Sequence, residues 1–180
     1  MYPRFPSLIV AGVCVLVGLG ALSACGGGGS SDTVPKAEQL LRGPGYSFRA
    51  PGDWKVVRRN TTVGASPRPL APEVVSVSVF PTTKPYSPAL FAKAAKELDG
   101  VAADLASRQH GTVKSRVTTR LQGQKVRQYV IAYKKGDEDV LERITFLFKG
   151  RTEYYLLCQW KASDDEPASC ARQLKTFKLS

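Results

Sequence analysis

Residues 140–161, VLERITFLFKGRTEYYLLCQWK, contain two runs rich in aliphatic and aromatic residues that flank Lys149-Gly150-Arg151. A central glycine between two such runs is a strong signal for a β-hairpin. Residues 112–121 and 125–135 flank Gln122-Gly123-Gln124 in the same way. The second half of the chain is therefore predicted to form two consecutive hairpins, which build an antiparallel sheet.

Three strands are predicted before these hairpins. Tyr46–Val57 contains two of them, separated by a Pro51-Gly52-Asp53 turn. Residues 73–80, EVVSVSVF, alternate between valine and serine as in a half-buried strand. The proline-rich residues 58–73 are expected to form a loop.

Two helices complete the predicted domain. Ser87-Pro88 is typical of a helix start, and Gly111 is a plausible stop for the apolar stripe that follows. Ser163-Asp164-Asp165-Glu166 has the form of a capping box and predicts a short C-terminal helix. The order of elements predicts an α+β domain, a mostly antiparallel β-sheet of about six to seven strands with helices packed on its faces.

The N-terminus resembles that of bacterial lipoproteins. Arg4 precedes an apolar stretch of about fifteen residues, which ends in a lipobox-like Leu22-Ser23-Ala24-Cys25 and opens onto Gly26–Ser31. A signal peptide has an apolar region of about 7–15 residues, whereas a spanning helix needs roughly twenty. We expect a signal peptide over residues 1–24 and a palmitate-bearing lipid anchor on Cys25. An uncleaved signal anchor is the alternative.

This anchor implies a particular organisation of the mature protein. A flexible Gly/Ser-rich tether over residues 25–41 would precede a folded domain over residues 42–180. The protein would be held at the extracytoplasmic face of the cell membrane. Cys14 would leave with the signal peptide and Cys25 would be lipidated. Cys158 and Cys170 then remain as a pair in an oxidising compartment, which predicts a structural disulfide.

The chain is strongly basic, with a formal net charge of +11. Such a charge favours anionic partners, here anionic lipids or envelope polymers, and nucleic acid is not expected outside the cytoplasm. Lys114, Arg116 and Arg120 are separated by even numbers of residues in one predicted strand, so their side chains should line one face of it. Lys125 and Arg127 begin the strand paired with it. These five residues predict a surface that binds anions. The alternative is a solvated sheet face.

Catalytic and metal-binding patterns are weak in this chain. The single histidine, His110, falls at the predicted end of the first helix, where a capping or surface role suits it. The acidic clusters Asp137–Asp139 and Asp164–Glu166 make calcium conceivable, but the first lacks the alternating spacing of a calcium loop and the second is explained by helix capping. No metal, no cofactor and no catalytic residue is expected. Five aromatic residues could line an apolar cleft or simply pack the core: Tyr129, Tyr133, Tyr154, Tyr155 and Trp160.

The pattern Tyr46-x-Phe48-x-x-Pro51-x-x-Trp54, together with the order of elements over about residues 45–178, resembles the PsbP-like superfamily and its LpqN-type lipoproteins. The resemblance implies an antiparallel sheet sandwiched by helices and a role in binding, scaffolding or assembly rather than catalysis. We therefore expect a non-enzymatic binding or assembly module with an unknown protein partner. The alternatives are a carrier of a lipid or small hydrophobic ligand and, third, a hydrolase with an unrecognised site.

Overall fold

Every strand pair in the domain is antiparallel, as the consecutive hairpins predict. The computed structural model describes residues 37–180, so the predicted signal peptide, Cys25 and most of the tether lie outside the described residues. The described elements are β1 (Glu38–Gly43), β2 (Tyr46–Pro51), β3 (Lys55–Arg59), β4 (Thr62–Ser66), β5 (Val74–Pro81), α1 (Phe91–Arg108), β6 (Thr112–Leu121), β7 (Gln124–Lys135), β8 (Glu138–Lys149), β9 (Thr152–Lys161), α2 (Ala168–Thr176) and β10 (Lys178–Leu179).

The strands form two sheets. A seven-stranded sheet has the order β3-β4-β5-β9-β8-β7-β6, and a three-stranded sheet has the order β1-β2-β10. The predicted class, α+β with a mostly antiparallel sheet and helices on its faces, is confirmed. Within residues 37–180, no helix has the length and apolar character needed to cross a membrane.

The large sheet has two differently covered faces. On the first, here called the α1 face, Leu98, Ala102 and Ala106 of α1 belong to one buried cluster with Tyr129 and Ile144. The opposite face, here called the α2 face, packs against α2 and the small sheet. Burying each large side chain in these clusters contributes about 1.5–3 kcal/mol, so both faces contribute to stability.

The aromatic strand β2 belongs to the core of the α2 face. Tyr46 and Phe48 are buried, and the Tyr46 hydroxyl donates a hydrogen bond to the Val77 carbonyl at 2.8 Å. The turn after β2 is closed by the Trp54 amide, which donates to the Pro51 carbonyl at 3.2 Å. The sequence pattern Tyr46–Trp54 therefore joins the small sheet to the large one.

Two predicted boundaries are wrong. The tether was expected to reach residue 41, but β1 already begins at Glu38 and pairs along β2. The expected loop over residues 58–73 contains the strand β4. The sequence did not reveal this strand, because Thr62–Ser66 is too short and too rich in small residues to show an alternation of large apolar side chains. Pairing of β4 with both β3 and β5 makes it a strand.

The end of α1 differs from the prediction by one residue. His110, and not Gly111, adopts the left-handed conformation, with a φ of 52°. The His110 amide donates to Ser107 O at 3.0 Å, and the Gly111 amide donates to Ala106 O at 2.8 Å. These two hydrogen bonds are the pair that defines a Schellman motif. Gly111 is needed for space, since a Cβ atom there would collide with the Ala132 carbonyl.

The predicted helix caps are correct only in part. A 3₁₀ turn over Pro88–Leu90 leads into α1, with Ser87 at its N-cap position and a proline in its first turn as the sequence predicts, but the Ser87 side chain makes no capping hydrogen bond. The C-terminal helix begins at Ala168, after Pro167, so Ser163 cannot cap it. The Ser163 hydroxyl donates instead to the carboxylate of the neighbouring Asp164 at 2.8 Å.

Glu166, the last residue of the expected capping box, pairs with the buried Arg143 of β8. That ion pair attaches the segment before α2 to the large sheet. Cys158 and Cys170 form the predicted disulfide, with Cα atoms 5.5 Å apart, and it joins β9 to α2. The C-terminus is held in turn by β10, which pairs with β2.

Candidate binding surface

A β-bulge in β6 decides which of the predicted basic residues share a face. Val113 lies opposite Ile131, Ser115 lies opposite Val130, and Lys114 between them has no register partner. Directly opposite residues of an antiparallel pair point to the same face. The alternation of β6 shifts by one residue at Lys114, so the spacing of Lys114 and Arg116 no longer indicates that the two side chains share a face.

The other four basic residues come together on the α1 face. Arg116 lies opposite Tyr129, which packs beneath α1, and Arg120 lies opposite Lys125. Arg127 lies opposite Thr118 in the row between them. These four residues, Arg116, Arg120, Lys125 and Arg127, are here called the basic surface. It occupies the end of the α1 face nearest the β6–β7 turn.

Arg127 is neutralised within the domain by Asp99 of α1. Its Nε and Nη2 atoms donate to the Asp99 carboxylate at 2.9–3.1 Å, and the Tyr129 hydroxyl donates to the same carboxylate at 2.6 Å. The Tyr129 hydrogen bond, aided by Arg127, lowers the pKa of Asp99. Asp99 therefore remains a carboxylate that fixes α1 on β7.

The remaining three cations have no such partner. Among residues 37–180, no acidic side chain lies within 4.0 Å of the charged nitrogens of Arg116, Arg120 or Lys125. The Arg120 guanidinium donates to the Gly123 carbonyl at 2.9 Å, and the Lys125 ammonium lies 6.0 Å from the centre of the Phe91 ring. All three side chains belong to exposed residues. The pKa of Asp99, lowered mainly by the Tyr129 hydrogen bond, is lowered further by the nearby charge of Arg116, so it is Arg120 and Lys125 that present uncompensated positive charge at this end of the sheet.

The five aromatic residues considered for a cleft do not line one. Tyr154 and Trp160 are buried in the cluster of the α2 face, whereas Tyr129, Tyr133 and Tyr155 belong to the α1 face. Tyr154 and Tyr155 are neighbours in β9, and successive side chains of a strand point to opposite faces. The large sheet therefore lies between the two groups of aromatic residues, and the five cannot line a single cleft.

A buried carboxyl group is the main polar feature that sequence reasoning missed. Glu142 is 4% exposed, and the Tyr133 hydroxyl donates to it at 2.8 Å. The Tyr155 hydroxyl lies 3.4 Å from its other oxygen, and the Gln159 amide oxygen lies 3.1 Å from the Tyr133 hydroxyl. Burial raises the pKa of Glu142. Its shared parity with Ile144 in β8 was the available sequence signal for burial.

The histidine and the first acidic cluster, considered above for chemistry, lie at the surface or in ion pairs. His110 is exposed at the end of α1. In the first acidic cluster, Glu138 pairs with Lys161 at 3.0 Å and Asp139 pairs with Lys134 at 3.5 Å. Within the described part of the chain, no group of three or more His, Cys, Asp or Glu side chains is arranged to hold a metal ion.

Comparison with known proteins gives matches at the level of three-dimensional structure. No protein-family model matches the chain, and no curated protein matches its sequence. The cyanobacterial PsbP protein of Synechocystis is 14% identical, with a TM-score of 0.57 over 88% of this chain and 99% of its own. LpqN of Mycobacterium tuberculosis, described as involved in cell envelope biogenesis, is 11% identical, with a TM-score of 0.48 over 80% of this chain and 91% of its own.

A protein of Bacteroides thetaiotaomicron is 11% identical, with a TM-score of 0.56 over 82% of this chain. The chain spans about half of that protein, 49% of its length. At these identities the likeness concerns the fold. The likeness to the cyanobacterial protein agrees with the resemblance carried by the Tyr46–Trp54 pattern: the chain has a PsbP-like fold.

Proposed function

We propose that this chain is an extracytoplasmic lipoprotein, anchored through Cys25, whose domain binds anionic lipid surfaces of the envelope without catalysing a reaction. The observation that carries the proposal is the basic surface, in which Arg116, Arg120 and Lys125 form no ion pair within 4.0 Å with an acidic side chain of residues 37–180. Basic residues near an anionic membrane each contribute about 1 kcal/mol of attraction. Several such residues on one face therefore favour a membrane-facing orientation.

The lipid anchor supplies the second part of the proposal and rests on the lipobox-like sequence before Cys25. A tethered domain has a high local concentration at its own membrane, so weak contacts suffice to hold it there. The basic surface would then decide which side of the domain faces the lipid. Partner proteins would meet the opposite side.

Labelling with a palmitate analogue tests the anchor. In a bacterial host, the full chain is expected to incorporate the label, and Cys25→Ser is expected to abolish incorporation. Cys14→Ser serves as the matched control, because this cysteine lies in the apolar stretch before the lipobox. Loss of label from both variants, or from neither, would contradict lipidation at Cys25.

Vesicle flotation tests the surface. The unlipidated chain from Gly26 onward, checked for cooperative urea unfolding, is mixed with phosphatidylglycerol-containing or purely phosphatidylcholine vesicles. We expect flotation with the anionic vesicles and its loss as salt is raised, since salt screens exposed charges. Equal flotation with both vesicle types would overturn the proposed function.

A groove supports the alternative of a carrier. Val57, Gly64, Val74 and Ser76 line a mainly apolar groove of about 270 Å³ on the α1 face, over β3–β5, whereas α1 packs on β6 and β7. This volume would suit one small apolar ligand rather than a whole diacyl lipid. Native mass spectrometry of the purified chain is expected to reveal a co-purified ligand if the carrier function is correct, and a bare mass would count against it.

A further inference from the structure

We propose that a pocket between the β6–β7 turn and the start of α1 binds the phosphate group of an anionic lipid headgroup. The proposal rests on the proposed function and names the ligand chemistry and the place where the ligand binds. The pocket has a volume of about 300 Å³, and its walls are formed by Tyr86, Pro88, Phe91, Arg120, Gly123, Gln124 and Lys125.

The walls of this pocket are held by contacts outside it. The Tyr86 amide donates to the Gly150 carbonyl at 2.7 Å, and the Tyr86 ring stacks on Phe148 with ring centres 5.2 Å apart. Gln122 and Gly123 both have positive φ values, 50° and 75°, as in the tight two-residue turn of a hairpin. Tyr86 and the β6–β7 turn, which both line the pocket, are therefore held in place by these contacts.

The positions of Arg120 and Lys125 destabilise the hairpin, because their two positive charges repel each other. They are directly opposite in the β6–β7 ladder, where Cβ atoms lie about 4.5–5.5 Å apart and like charges repel. Within residues 37–180 neither has an acidic partner in an ion pair. An anion bound between them would convert this repulsion into two attractions. A pair of facing cations beside a pocket is what an anion site requires.

The two side chains complement a phosphate group in different ways. The Arg120 guanidinium lines the pocket and uses one nitrogen to donate to the Gly123 carbonyl, which restricts where the group can lie. Guanidinium groups bind phosphate through paired hydrogen bonds, and lysine adds a compact point charge. The rings of Tyr86 and Phe91 offer an apolar wall to the glycerol part of a headgroup.

The rest of the basic surface explains why the ligand is a lipid headgroup. Arg127 is already neutralised by Asp99, so it adds little free charge. Arg116 is four residues from Arg120 in β6, which places it roughly 13 Å along the strand. At that separation Arg116 would meet a neighbouring headgroup of the same surface. A free phosphate ion would use the pocket without Arg116.

The test compares two double variants of the chain from Gly26 onward. The pocket variant is Arg120→Gln with Lys125→Gln. The matched control is Lys55→Gln with Arg59→Gln, two exposed cations of β3 opposite Ser66 and Thr62. This edge is six strand spacings from β6, or roughly 29 Å. Both variants remove the same charge.

We expect the pocket variant to lose at least tenfold in affinity for phosphatidylglycerol vesicles, and the control to lose less than threefold. Glycerol 3-phosphate is expected to shift the amide resonances of Gly123 and Lys125 saturably in the wild-type chain, and sodium chloride at equal ionic strength is not. The pocket variant should also unfold at a higher urea concentration than the wild-type chain, because the facing charges are gone. A residue pair with a merely structural role would lower that midpoint.

The outcomes separate the pocket from the proposed function. Equal loss in both variants, with anionic vesicles still preferred by the wild-type chain, would overturn the pocket and leave the proposed function intact. Absence of saturable shifts with glycerol 3-phosphate would also overturn phosphate recognition. Unchanged affinity of Arg116→Gln for phosphatidylglycerol vesicles would overturn the lipid source in favour of a free phosphate ester, because Arg116 is assigned to a neighbouring headgroup of the surface. Wild-type binding without preference for anionic vesicles would overturn the proposed function itself.

Discussion

Asp99 of α1 and Arg127 of β7 form an ion pair in which the Arg127 Nη2 atom contacts both carboxylate oxygens of Asp99, at 2.9 and 3.1 Å. The side chains are only 33% and 17% exposed, respectively. Tyr129, fully buried, donates to the same carboxylate. The pair thus joins the helix to the sheet and removes one charge from the basic surface.

Asp99→Ala is expected to destabilise the domain by about 2–3 kcal/mol, because it leaves a buried hydroxyl and a partly buried guanidinium without their acceptor. Urea unfolding measures the loss. Asp104→Ala is the control on the same helix: its pair with Arg108 is highly exposed, and we expect a change below about 0.5 kcal/mol. Equal losses would show that the Asp99 contacts are not special.

Glu142→Gln is expected to make the stability of the domain less dependent on pH. Burial raises the pKa of Glu142 above its usual value. Between the unfolded and folded pKa values the folded state holds a proton that the unfolded state lacks, so stability falls as pH rises through that window. The amide cannot ionise, so the variant should gain stability relative to the wild-type chain from pH 4 toward neutral pH.

Urea unfolding at a series of pH values measures this difference, with Glu97→Gln on the exposed side of α1 as the control. A stability difference between Glu142→Gln and the wild-type chain that stays constant with pH would contradict the prediction.

Removing the disulfide is expected to weaken the attachment of α2. Cys158 and Cys170 are both buried and 12 residues apart. Closing a loop of that size contributes about 2–4 kcal/mol. The double variant Cys158→Ala with Cys170→Ala should therefore unfold at lower urea. A reductant should bring the wild-type chain near the same midpoint and leave the variant unchanged; a wild-type midpoint that is insensitive to reductant would disprove a stabilising bond.

Two glycines of the α1 region are expected to respond oppositely to alanine. A Cβ atom at Gly100 meets nothing within 4 Å, so Gly100→Ala should stabilise the helix by up to about 1 kcal/mol. A Cβ atom at Gly111 would lie 2.7 Å from Tyr133 Cβ and would also strike the Ala132 carbonyl. Gly111→Ala should therefore cost about 1–3 kcal/mol. Thermal unfolding of both variants checks the sign, and two changes in the same direction would contradict it.

The two C-terminal hairpins and α1 could be predicted because their signals are local. Val140–Lys161 carries its own turn glycine between two apolar runs, and the stripe of α1 repeats within one helix. The strands β4 and β10 could not be predicted in this way. Thr62–Ser66 has small side chains, and Lys178–Leu179 is two residues long. Their partners, not their own residues, make them strands.

The candidate site shows the same division. The sequence indicated that β6 and β7 carry many cations, but the bulge beside Lys114 decided which of them share a face. A one-residue shift of register moves a side chain to the other face of a sheet. Alternation with Ile144 placed Glu142 on one face of β8, but only the pairing of β8 with β7 and β9 decided that Tyr133 and Tyr155 contact its carboxyl group.

The sequence by itself determined the antiparallel hairpins, the amphipathic helix and the excess of positive charge, because each of these is a property of neighbouring residues. Only the tertiary structure decided that Asp99, 28 residues away in the chain, neutralises Arg127. It also decided that Arg120 faces Lys125 beside a pocket. Such pairings depend on strand register and helix docking, which are set by the packing of the whole core and are encoded at no single place in the chain.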